Sequence, residues 1–253
     1  MKIYLHYNLW NKGAHVPWIA EGIRWSIPKG TVIDWTLENC TDKTEDNLMM
    51  CIYETGYGML RDFDNRVQKV TKNYRWPNCN DAMRRFMESD CDLFLSPQDD
   101  QQIQDKHLIK NLEKIYEQAK QTGKKVGIVG MRDGVDGANF YFSSNFSKGT
   151  ERTTWLAAGD FRKVKHVNDG PIALTREVIG KVGYFDEAYW AHYSDQDYSY
   201  RCEGAGFQNY VLGSEIEHEK WSCKVCGEVQ PSEVWSQKFS DHDYKIFLSK
   251  WGS

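Results

Sequence analysis

Between residues 2 and 131 the chain switches repeatedly between two hydrophobic periods, and that switching restricts the fold more than any other feature. Residues 2–9, 31–39, 67–74, 91–96 and 125–131 read as strands. The stretches between them have helical spacing. Pro17 to Ser26 reads as a short helix with proline in its first turn. Asn80 to Ser89 puts Met83, Phe86 and Met87 on one face. Asp105 to Thr122 repeats Leu108, Leu112, Ile115 and Ala119 at helical intervals, and Gly123 ends it. Alternation of this kind predicts an α/β fold: a Rossmann-like, mainly parallel central sheet flanked by helices.

Past residue 131 the pattern changes. Residues 138–166 are polar, aromatic and rich in Gly and Ser, the composition of a hairpin or of a loop that closes over a site. A strand at 171–174, a helix from Thr175, a second helix opening at Ser194 and a strand at 208–213 follow. The tail ends in an amphipathic helix carrying Tyr244, Phe247, Leu248 and Trp251. The expected organisation is one domain over 1–220, in halves of 1–131 and 132–220, with 221–253 as a small C-terminal extension packed on it. Whether that last helix meets the domain, a partner or a membrane surface stays open at this level.

With 253 residues the chain buries a full core without disulfides or structural metal. Its net charge of −4, with Lys and Arg dispersed, excludes a nucleic-acid footprint. No apolar run reaches the roughly 20 residues that span a bilayer, and the N-terminus has neither the apolar core nor the cleavage site of a signal peptide. The seven cysteines are scattered, most of them in apolar runs, which points to reduced thiols and a cytoplasmic protein. Cys223 and Cys226 form a lone CxxC; a structural zinc would need two more ligands.

In an open α/β sheet, ligands bind beyond the carboxyl ends of the strands. The run LFLSPQDDQQI, 93–103, ends a buried-type strand in two adjacent acids, Asp99 and Asp100, flanked by glutamines. Two readings compete. One is a polar turn ahead of a helix, where acids are favoured by the helix dipole. The other is a pair of hard oxygen ligands for a divalent ion.

The order of motifs resembles the family 2 glycosyltransferases with the GT-A fold. GPIALTREVIGKVGYFDEAYWAHYSDQDYSYRCEGAGFQNYVLGSEIEH, 170–218, resembles the second half of such enzymes; WTLENCTDKTEDN, 35–47, resembles their second strand and acidic turn; HYN at 6–8 resembles the close of their first strand. The likeness runs over roughly 1–220. It departs from the family at His6, at Glu38, at Ser194, and at the metal motif, which is Gln98-Asp99-Asp100 in place of DxD.

The resemblance implies a metal-dependent, inverting transfer of a sugar from a nucleotide-diphosphate donor to a hydroxyl of a glycan or glycoconjugate. UDP-sugars are favoured as donors, GDP-sugars are also compatible, and Mn²⁺ or Mg²⁺ is the cofactor. It assigns Asp195 as general base. His6, Tyr7, Asn8, Glu38, Asp42, Arg75, Asn80, Gln98, Asp99 and Gly170 would face the nucleotide sugar. Pro171, Trp190, His192, Tyr193 and Asp197 would face the acceptor. Asp100, Asp99 and His218 would meet the metal. Each has a plainer reading: a core Tyr or Trp, a surface Arg or His, acids that merely stabilise a helix start. A non-catalytic carbohydrate-binding protein and a nucleotide-sugar pyrophosphorylase remain the other classes. The second wants a Gly-rich basic loop after the first strand, where this chain has NLWNKGAH.

Overall fold

The computed structural model describes residues 1–10, 15–38, 42–54, 58–71, 75–131, 134–135, 156–167, 170–190, 192–218 and 233–252. The chain begins β1 (Ile3–Leu9), α1 (Val16–Ser26), β2 (Val32–Glu38), α2 (Asp42–Tyr53), β3 (Asp64–Val70), α3 (Arg75–Glu88), β4 (Leu93–Ser96) and β5 (Gln101–Ile103). It continues with α4 (Leu108–Gln121), β6 (Val126–Gly130), β7 (Gly134–Val135), β8 (Phe161–Val164), β9 (His166–Val167) and β10 (Ile172–Thr175). The last elements are α5 (Arg176–Val182), α6 (Ser194–Gly204), β11 (Gln208–Leu212), β12 (Ile216–His218) and α7 (Glu233–Trp251).

Among the described residues the main sheet runs β3-β2-β1-β4-β10-β6-β11-β8. Strands β3, β2, β1 and β4 are mutually parallel, as are β6 and β11; β10 is antiparallel to β4 and β6, and β8 to β11. Because side chains alternate across a strand, β1 and β2 feed two cores. Leu5, Tyr7, Leu9, Ile33, Trp35 and Leu37 meet α1, α2 and α4 on one face. Tyr4 and Phe94 meet α3, α5, α6 and Phe247 of α7 on the other. Each of these large side chains, fully buried, stabilises the fold by about 1.5–3 kcal/mol.

Local chemistry sets the boundaries. Thr175 caps α5, its hydroxyl accepting from the Val178 N–H at 3.4 Å, and Gly183 ends the helix at φ 88°. Helix α3 starts at Arg75, five residues before the expected Asn80, because Pro77 falls in its first turn, where a missing N–H is tolerated. The expected strand at 67–74 lies at 64–70. Helix α2 was not expected; within it only Leu48, Cys51 and Ile52 enter the core, too few to mark a period. Strand β5 was not expected either, and helix α4 opens at Leu108 in place of Asp105. The Asp105 carboxylate instead turns back to accept from the His107 N–H at 2.7 Å. Cys51, Cys79, Cys91 and Cys202 are buried free thiols. Cys40, Cys223, Cys226 and most of the loop at 138–166 lie outside the described residues. No helix of the described residues is long and apolar enough to cross a membrane.

Candidate active site

Three polar rungs climb the α3 face of β1 and β2, each joining residue i of β1 to residue i+30 of β2. Tyr4 donates to Asp34 at 2.7 Å; a ring nitrogen of His6 lies 3.2 Å from the Thr36 hydroxyl; Asn8 donates to Glu38 at 2.8 Å. The first two rungs are interior. His6 is buried, its other ring nitrogen 3.3 Å from Ser96 Oγ and its face against Phe94. The structure therefore gives His6 to the sheet, not to an open pocket. Tyr7, on the opposite face, is also fully buried, stacked on Trp35 with ring centroids 5.4 Å apart and its hydroxyl donating to the Gln101 carbonyl. No free face of Tyr7 is left for a nucleobase.

The third rung lies at the carboxyl ends of the strands and recruits α3. Asn78 donates to Glu38 Oε2 at 2.8 Å and to Asn8 Oδ1 at 3.3 Å. Glu38 is nearly buried, and burial pushes its carboxyl above the usual range, with Asp99's charge adding and the two amides opposing. Asn78 Oδ1 is buried without a partner. Sequence reading missed Asn78 and chose its neighbour Asn80. Asn80 is turned away: its amide donates to the Phe185 carbonyl and to Glu187, and accepts from the Phe185 N–H at 2.9 Å. It ties α3 to the segment after α5. Arg75 is half-buried at the start of α3, its guanidinium 4.9 Å from the Trp76 ring centroid. Asp42 opens α2, and its side chain lies outside the described residues.

The acidic turn is clamped from several sides. Gln98 N–H donates to Gln101 Oε1 at 2.9 Å, closing the turn over Asp99 and Asp100. Gln102 donates to the Trp18 carbonyl and Ser26 to the Ile103 carbonyl, pinning β5 on α1. The approach is so close that a Cβ on Gly22 would sit 2.4 Å from Gln102 Cγ. The Trp10 N–H reaches Asp99 Oδ2 at 3.2 Å. The glutamines around the acids are thus the turn's own fasteners. Strand β12 pairs antiparallel with β5 in a register that sets His218 opposite Gln101, one residue beyond Asp100; its side chain lies outside the described residues. Among the described residues no three His, Cys, Asp or Glu side chains converge as a ready metal cage. An ion held by one or two carboxylates and completed by phosphate oxygens needs no such cage.

The reversed strand β10 brings the second half of the chain to the same edge. Its first residue pairs with Ser96, the last of β4, so Gly170 and Pro171 lie beside the start of the acidic turn, and the Pro171 carbonyl accepts from the Met131 N–H at 2.9 Å. Helix α6 opens with Tyr193 in the left-handed region, φ 62°, the one such non-glycine among the described residues. Asp195 is buried in its first turn, Oδ1 accepting from the Gln196 N–H at 2.9 Å. Ser194 Oγ and Gln196 Nε2 beside it are buried with no hydrogen-bond partner, as is the Tyr189 hydroxyl. Such groups cost about 1–3 kcal/mol each when unpaired, and two of them, on Ser194 and Gln196, flank Asp195.

Asp197 has a different employment from the acceptor contact expected of it. It is fully buried; Oδ2 accepts from Arg201 at 2.8 Å and Oδ1 from Trp251 at 3.0 Å and Lys250 at 3.2 Å. The half-buried Trp190 and His192 offer their backbone N–H groups to Asp243 of α7, and the Trp190 ring is stacked on His242 with centroids 3.5 Å apart.

No family model and no curated protein matches the chain. Solved structures do. TarS 1-349 of S. aureus in complex with UDP-GlcNAc superposes with a TM-score of 0.59 at 13% identity, over 98% of this chain and 73% of that one. A mannosyltransferase, PcManGT of Pyrobaculum calidifontis, in complex with GDP-Man and Mn²⁺, gives 0.60 at 14% identity, over 100% of this chain and 64% of that one. The chain has the GT-A fold. Against the longer TarS chain it spans 44% of the length. The Asn8–Glu38–Asn78 cluster and the acidic turn lie at the carboxyl ends of β1, β2 and β4, and α6 leads into β11, which is parallel to β6.

Two buried histidines make the fold acid-sensitive. Burial lowers His6 and His166 from 6.5 to about 4, Asp34 partly opposing for His6 and Lys165 adding for His166. The unfolded chain then binds more protons between those values, so their contribution is full above pH 6.5 and is lost as pH falls toward 4, by up to about 1.4 kcal/mol per pH unit for each ring. The urea midpoint should drop between pH 6.5 and 5; a flat midpoint there would show that the rings titrate as in solution.

Proposed function

We propose that this chain is a metal-dependent glycosyltransferase that moves a sugar from a nucleoside-diphosphate donor to a hydroxyl of a glycan or other acceptor, with inversion. What supports this reading is the presence, on a GT-A sheet, of an acidic turn after β4 and of a buried polar cluster around Asp195 at the start of α6. The neighbours' printed ligands, UDP-GlcNAc and GDP-Man with Mn²⁺, support the donor class.

Asp195 would accept the acceptor's proton as its oxygen attacks the anomeric carbon, while the bond to the diphosphate breaks and its electron pair leaves with the phosphate. Glu38, held by Asn8 and Asn78, would accept from a base N–H or a ribose hydroxyl, and Asp99 and Asp100 would hold the metal, with His218 beside them. The bound ion supplies charge neutralisation for the leaving group. Gly170 and Pro171 would line the sugar, and Trp190, His192 and Tyr193 the acceptor side.

Calorimetric titration of UDP, GDP, dTDP and CDP, each with and without Mn²⁺, tests the reading. One diphosphate should bind in a metal-dependent way, and Asp100→Ala should weaken that binding at least about 10-fold, the scale of one lost charge-assisted contact of 1.5–3 kcal/mol. No binding by any of the four would refute a transferase of this donor class.

A further inference from the structure

Helix α7 grips the segment leading into Asp195 at both ends. On α7, Asp243 is fully buried, and its carboxylate accepts the N–H of Trp190 through Oδ1 at 3.0 Å and the N–H of His192 through Oδ2 at 2.7 Å. Both oxygens are thus engaged by alternate residues of the strip that immediately precedes α6. His242 Nδ1 lies 2.8 Å from Asp243 Oδ1, and its ring covers Trp190. The next residue, Tyr244, and Phe247, one turn along, pack on the Tyr193 ring at 5.8 and 5.4 Å between centroids. Near the end of α7, Lys250 and Trp251 reach Asp197, and Lys250 also pairs with Asp186. Residues 190, 192, 193 and 197 therefore bracket Asp195 and are all fastened to one helix.

The left-handed Tyr193 sits inside this bracket. A non-glycine there costs on the order of 1–3 kcal/mol and persists only where its surroundings over-determine it. The two N–H bonds on one side and the aromatic packing on the other supply that constraint. A carboxylate suits the role because it presents an acceptor to each N–H. An asparagine would present one acceptor and turn an NH₂ against the other donor.

We infer that Asp243 is a positioning residue of the transfer reaction: through the N–H groups of Trp190 and His192 it sets Tyr193 in its left-handed conformation and so aims the Asp195 carboxylate. This rests on Asp195 being the base. The role lies outside the GT-A sheet, in the final helix of the chain.

Hydrogen exchange on the full chain tests the clamp without any substrate. In Asp243→Asn, the amides of Trp190 and His192 and the first turn of α6 should exchange at least about 10-fold faster, while β1 and β4 stay as in wild type. Unchanged exchange at 190 and 192, or a uniform rise everywhere, overturns the proposal. Asp243→Ala removes both acceptors and should enlarge the local effect; if it fails to fold, the isosteric variant decides.

Turnover is then measured with sugar donors of the nucleotide selected by titration. Asp243→Asn should lower kcat about 10- to 100-fold with the diphosphate affinity within twofold of wild type. If Asp243 acts through Asp195, the double variant Asp195→Asn/Asp243→Asn should be no slower than Asp195→Asn alone; multiplied losses overturn the proposal. Full activity in Asp195→Asn would refute the base instead, and the exchange data would still decide whether α7 holds the strip.

Discussion

Asp195→Asn is expected to cut sugar transfer by about 10²–10⁴-fold, the contribution of a positioned general base, while the donor diphosphate binds as before. The asparagine keeps the shape of the side chain and can still accept from the Gln196 N–H through its oxygen, so the helix start should survive. What disappears is the capacity to take a proton. Binding is spared because the proposed nucleotide contacts, Asn8, Glu38, Asn78 and the acidic turn, belong to β1, β2, α3 and the β4–β5 connection. Paired turnover and calorimetry on the one variant provide the check. Weakened nucleotide binding would place Asp195 in the donor pocket, and unchanged turnover would remove it from the chemistry.

Arg85→Ala is expected to destabilise the fold by about 3 kcal/mol, the lower end of the range for breaking a buried ion pair by removing one partner. Asp34 is completely buried in β2, and Arg85 reaches it from α3 with Nε at 2.8 Å and Nη2 at 2.7 Å. Tyr4 donates to the same carboxylate oxygen. Removal of the guanidinium strands that charge between sheet and helix. The lower end applies because Arg85 is itself 28% exposed, so water already screens part of the attraction. Replacing the whole group with apolar side chains, Tyr4→Phe with Asp34→Leu and Arg85→Met, should recover most of the loss, since no polar atom is then left unpaired. Urea unfolding of the two variants is the measurement. Equal stability of Arg85→Ala and wild type would mean that the pair contributes nothing.

The strands and helices of the first half were legible because each carries its own period: Leu108, Leu112, Ile115 and Ala119 announce α4 without reference to anything distant. The acidic turn was legible for a similar reason, as a buried strand ends in acids. What was illegible depends on partners far along the chain. Gln102 fastens to Trp18, and Gln101 faces His218 across a two-strand ladder; neither pairing leaves a local trace. Asn78 and Asn80 differ by about 200° of helix, so a helix start misplaced by five residues hides which one faces Glu38. Asp197 sits two residues from the proposed base and reads as its companion, yet its oxygens are filled by Arg201 and by the end of α7. Asp243 reads as a solvated acid because helical periodicity records which face is apolar, not which acid meets a backbone.

The antiparallel strand β10 also decides when the two halves of the sheet can join. It stands between β4 and β6 and is synthesised after both. While residues 1–131 leave the ribosome, β4 has only β1 beside it, and β6 has neither of its neighbours, β10 and β11. The β4 and β6 edges that face β10, on strands apolar on both faces, must wait about forty residues of further translation for their partner. A chain cut after residue 131 is therefore expected to leave the β4 and β6 edges open to pairing with other molecules.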